Sequence, residues 1–113
     1  MAATDLSAEA LPAVGFFTKR ITLDATASNA REVILPSWAR RVSVAILDGA
    51  NAAQNGGVAS SGTDGAAIGN DYLPITTAGL TWRVVAGRAT GGGSIFLTAS
   101  TASSYAHLML EQE

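Results

Sequence analysis

The stretch Arg40-Arg41-Val42-Ser43-Val44-Ala45-Ile46-Leu47 decides the fold. In an extended chain Val42, Val44 and Ile46 point one way, and Arg41, Ser43 and Ala45 point the other. Apolar and polar residues alternating with period two mark a half-buried strand. Asp48-Gly49 follows at once and opens a turn.

The same pattern recurs on both sides. Upstream, Phe17, Lys19, Ile21 and Leu23 share one face of the stretch Phe16 to Leu23, opposite Phe16, Thr18, Arg20 and Thr22. Asp24 to Ala30 is rich in turn formers, and Arg31 to Leu35 reads as a strand stopped by Pro36. Downstream, Asp71 to Ile75 carries Pro74, which places it at a sheet edge. Leu80 to Ala86 puts Leu80, Trp82, Val84 and Ala86 on one face, and Gly91-Gly92-Gly93 reads as a hairpin turn. In Ser94 to Ser100, Ile95, Leu97 and Ala99 oppose Phe96 and Thr98; in Tyr105 to Leu110, Ala106, Leu108 and Leu110 oppose Tyr105, His107 and Met109. About seven or eight short antiparallel strands result, with no fixed-period repeat. This is the spacing of an all-β domain, either a β-sandwich or a jelly roll.

Two segments fall outside the pattern. Asn51 to Asn70 holds Asn55-Gly56-Gly57, Ser60-Ser61-Gly62, Asp64-Gly65 and Gly69-Asn70, all turn-forming. A loop this long is uncommon, and a short strand at Val58-Ala59 divides it. Residues 1 to 14 are Ala-rich with Pro12 and read as an N-terminal arm preceding a domain of residues 15 to 113.

Composition narrows the function. The 113 residues make one domain, and charged residues are only 14% of them, well under the usual quarter. So uncharged a chain either covers part of its surface against partners or has an ordinary solvated surface rich in Thr, Ser, Gly and Ala. Net charge is −2, and Lys19-Arg20 and Arg40-Arg41 are its basic pairs, too few for a nucleic-acid footprint. There is no cysteine, so thiolate chemistry, disulfides and Cys-based metal sites are excluded. No apolar run is long enough to cross a membrane as a helix, and the first residues lack the pattern of a secretory signal.

Chemistry is equally sparse. His107 is the one histidine; Ser104 diverges from it in an extended strand, and Ser103 and Tyr105, on its face, need not approach it. The nine acids form no spaced pair for glycoside hydrolysis, and most sit where Asp supplies turn hydrogen bonds. Asp48, Asn51, Asp64, Asn70 and Asp71 are hard oxygen ligands, but without calcium-loop spacing. The Gly91 to Gly93 run lacks the Lys and following helix of a phosphate loop. No catalytic residue, cofactor or resident metal is expected, and the chain reads as a non-enzyme. Among the aromatic residues Trp82 is assigned to the core, while Trp38, after Pro36-Ser37, is assigned to a surface.

Three stretches carry a resemblance: Ile21-Thr22-Leu23-Asp24-Ala25-Thr26-Ala27 on to Val33-Ile34-Leu35-Pro36; Arg41-Val42-Ser43-Val44; and Ser94 to Ser103. Together, over roughly residues 16 to 111, the chain resembles small virion structural proteins of tailed bacteriophages, of the capsid-decoration or head-fibre kind. The resemblance implies a small jelly-roll or sandwich domain that forms homo-oligomers, often trimers. It further implies binding to the major capsid protein or another virion protein at the capsid surface, after synthesis in the host cytoplasm. On this reading the arm docks on a neighbour, and Leu6, Leu11, Trp38 and Phe96 are interface residues. The reading from a different class is a carbohydrate- or receptor-binding module built on exposed aromatics and the Asn51 to Asn70 loop.

Overall fold

The computed structural model describes residues 3–84 and 93–112. Within them lie ten strands and no helix: β1 (Thr4–Asp5), β2 (Phe16–Thr22), β3 (Arg31–Ile34), β4 (Arg41–Leu47), β5 (Ala53–Gln54), β6 (Gly56–Ala59), β7 (Leu73–Ile75), β8 (Leu80–Arg83), β9 (Ser94–Ala99) and β10 (Tyr105–Glu111). The first sheet runs β1-β3-β9-β6-β7; the second runs β2-β10-β4-β5, with β8 also beside β4. The strand expected over Leu80 to Ala86 is described through Arg83, and the Gly91-Gly92 turn lies outside the described residues.

The pairings are nested. β6 pairs with β7, β4 with β8, β3 with β9 and β2 with β10, like rungs along one folded ribbon. Two further pairings, β4 with β10 and β6 with β9, join the ribbon to itself. All of these are antiparallel. Pro74, which has no N–H to donate, lies in the edge strand β7, as its chemistry requires.

Both sheets send side chains into one core. Val42, Val44 and Ile46 of β4 and Ala106, Leu108 and Leu110 of β10 meet Val33 of β3, Ile95 and Leu97 of β9 and Ile75 of β7 there. Each fully buried Leu, Ile or Val contributes about 1.5–3 kcal/mol of hydrophobic stabilisation. Gly56 belongs to this interior: a Cβ on it would strike the Thr98 carbonyl oxygen and come within 2.9 Å of Ile46 Cγ1. The alternation read in β4 and β10 holds residue for residue.

The N-terminal segment is not a free arm. β1 pairs in parallel with β3, the exception among otherwise antiparallel pairings, and the Leu6 N–H donates to the Ile34 carbonyl at 2.8 Å. Leu6 is 2% exposed and belongs to the main core, so it cannot meet a partner as an interface residue. The open edge of β3 explains this, since it offers unpaired backbone groups and a gap in the core that residues 4 to 6 fill.

Phe96 also faces inward. Core-facing Ile95, Leu97 and Ala99 leave Phe96 on the outer side of the first sheet, yet it is buried with Ala30, Ala59 and Ile68. Its cover comes from the turn-rich segments. The Ala30 N–H donates to the Ala66 carbonyl and Ile68 to Ser28, and a Cβ on Gly62 would lie 3.4 Å from the Phe96 ring. The long Gly- and Asn-rich stretch splits, as expected, around a strand that includes Val58-Ala59; the remainder then folds over Phe96. The chain thus covers both sides of this sheet itself, and Phe96 is corrected from interface to interior.

Candidate functional site

Among the described residues, the outward side of the second sheet has no buried apolar cluster of its own. Alternation directs Phe16, Thr18 and Arg20 of β2, Tyr105, His107, Met109 and Glu111 of β10, Arg41, Ser43 and Ala45 of β4, and Thr81 and Arg83 of β8 away from the core. Register sets them in cross-strand rows: Arg20, His107 and Ala45; Thr18, Met109, Ser43 and Thr81; Phe16, Glu111, Arg41 and Arg83.

A groove of about 580 Å³ lies over these rows, lined by Thr18, Arg20, Ser43, Thr81, His107 and Met109. Its rim is the β7–β8 turn at Ala78-Gly79. Gly79 has φ +82°, and a Cβ there would sit 2.9 Å from the Val44 carbonyl oxygen, so the rim lies tight on β4 because position 79 lacks a side chain.

Three details define the groove's chemistry. The Arg20 guanidinium stacks 4.4 Å from the centroid of the Tyr105 ring, a cation–π contact. Ser43 Oγ and Thr81 Oγ1 share a 2.9 Å hydrogen bond. His107 Nε2 is buried and has no hydrogen-bond partner. No hydroxyl or carboxylate is hydrogen-bonded to the imidazole, so this is not the geometry of an activated nucleophile.

Charge is divided between the sheets. The strands of the second sheet carry Lys19, Arg20, Arg41 and Arg83 against Glu111. Strands of the first sheet hold Asp5 and Glu32 against Arg31. Arg31 Nε lies 3.8 Å from Asp64 Oδ1, which also accepts the Glu32 N–H at 2.8 Å. Glu32 accepts the Ser94 hydroxyl at 2.8 Å.

The remaining candidates separate. Asp48 accepts the Ala50 and Ala52 N–H groups and Gln54 Nε2, a turn role; the Ala52 and then the Ala50 N–H hold its carboxyl below the usual range. Among the described residues no three His, Asp or Glu side chains converge to hold a metal ion. Trp38 is partly buried against the core and its Nε1 donates to the Glu9 carbonyl at 2.8 Å, while Leu11 is half-buried nearby in sequence. Tyr72 is 43% exposed, and a Cβ on Gly57 would meet its ring, which places it beside the first sheet. Tyr105 faces outward from the second, so Trp38, Tyr72 and Tyr105 form no common platform.

Comparison with family models, curated proteins and solved structures returns no match. The site therefore rests on its own geometry. Sequence reading passed over the groove because its residues occupy the polar positions of strands, which look like ordinary solvated faces. The signal was the gathering of Lys19, Arg20, Arg41 and Arg83 in these strands of a net-negative chain.

Proposed function

We propose that this chain is a non-enzymatic structural protein that assembles with copies of itself, in the manner of a tailed-phage capsid-decoration protein. The carrying observation is the contrast between the two sheets: loops of the chain seal the outer side of the first over Phe96, whereas the outward side of the second presents a groove lined by Thr18, Arg20, Ser43, Thr81, His107 and Met109. A groove on an outward sheet face supports a surface for a partner.

Two further features support the reading. The nested pairings, joined through β4–β10 and β6–β9, support a jelly-roll reading, an eight-stranded winding in two facing sheets used by capsid proteins and by lectins. The separation of Trp38, Tyr72 and Tyr105 weighs against the lectin-like alternative, which needs aromatics side by side. Because the fold hosts both roles, the choice rests on these surfaces.

Light scattering on the purified chain tests the proposal. A stable mass at a multiple of the single chain is expected; a monomer at every concentration, together with glycan binding, would replace this reading with the carbohydrate module.

A further inference from the structure

We propose that Asp71, Tyr72 and Leu73 of one copy seat in the groove of the next, making a head-to-tail contact. The inference rests on the self-assembly reading and names the two surfaces that meet.

The inserting side stands out on its own evidence. Tyr72 and Leu73 are two of the four large apolar side chains left exposed, at 43% and 55%, and exposed Asp71 precedes them. They lie at the start of edge strand β7. Pro74 prevents this edge from recruiting a neighbour by continuous backbone pairing, so contact here must be made by side chains.

The receiving side is complementary in charge and form. Arg20 borders the groove, and Met109 and Ala45 give it an apolar floor. An acid beside two exposed apolar side chains meets a cation beside an apolar hollow.

The two surfaces differ, so the contact is heterologous and generates rings or open chains of copies rather than a two-fold dimer. The β7–β8 turn that rims the groove leads directly from the β7 edge.

Charge reversal tests it on the full chain, with light scattering in about 0.1 M salt, where screening acts beyond roughly 10 Å. Asp71→Lys alone and Arg20→Glu alone should each run as monomers while keeping the wild-type β-sheet circular dichroism and melting. The double variant Asp71→Lys/Arg20→Glu should recover the assembled mass, since every junction then pairs opposite charges in a ring of any size. If wild type assembles and both variants assemble equally well, the surfaces are misassigned although self-assembly stands. If the single variants are folded monomers and the double variant is one too, the head-to-tail pairing is wrong. A monomeric wild type removes self-assembly and this contact together.

Discussion

Trp38 Nε1 donates to the Glu9 carbonyl oxygen at 2.8 Å, fastening the N-terminal segment to the connection between β3 and β4. With the β1–β3 pairing and the burial of Leu6, this makes residues 3 to 11 part of the fold. Leu6→Ala should cost about 2–5 kcal/mol in urea unfolding, the range for a fully buried leucine. Deleting residues 1 to 14 should cost more. A truncated chain with wild-type stability would show that the segment is dispensable.

Gly56→Ala tests the close packing of β6 against β9 and β4. The added methyl meets the backbone carbonyl of Thr98, which cannot swing aside, and Ile46. Overpacking of this kind costs about 1–3 kcal/mol. Chemical denaturation measures it; an unchanged midpoint would contradict the placement.

Trp82 packs against the core while remaining partly exposed, unlike the fully buried Leu97. Trp82→Ala should therefore fall below the ~3–5 kcal/mol typical of a buried tryptophan, and Leu97→Ala should lie within ~2–5 kcal/mol. Paired denaturation curves of the two variants check the difference.

Acid stability should bear the mark of Asp48. Its carboxyl is held below the unfolded value of about 3.9, chiefly by the Ala52 and Ala50 N–H groups. The folded state then binds fewer protons than the unfolded one as pH falls toward and through the folded pKa. The Asp48 contribution is present above about pH 4 and is lost below it. Asp48→Asn should flatten the acid limb of a melting-temperature profile between about pH 5 and 2 while shifting its neutral plateau by a near-constant amount. Parallel profiles for both proteins would refute the assignment.

Much of the fold was legible where burial is one-sided. β4 and β10 bury alternate residues against a single core, so sequence period and structure coincide. Phe96 was misread for a related reason: β9 is buried on both sides, and sequence shows that a strand is covered without showing by what. Here the cover is the chain's own turn-rich segments, which lack any apolar period because Ala30, Ala59 and Ile68 come from separate places in the chain. Residues 1 to 14 were misread because a two-residue strand is too short to alternate; Leu6 and its parallel register depend on an edge that exists once β3 has folded. The groove was hidden because Arg20, Ser43, Thr81 and His107 come together through pairing between distant strands.

The place of β10 between β2 and β4 reaches beyond the finished structure. Among the described residues β2 has no other strand partner, so it waits for a segment almost the whole described chain away. On the ribosome, β2 emerges early and must remain unpaired until β10 follows. Closing so long a loop late makes folding slow and leaves strand edges open to other nascent chains. Synthesis rate and the crowd of sister chains around each polysome then become determinants of yield, and stabilising the core alone would not relieve them.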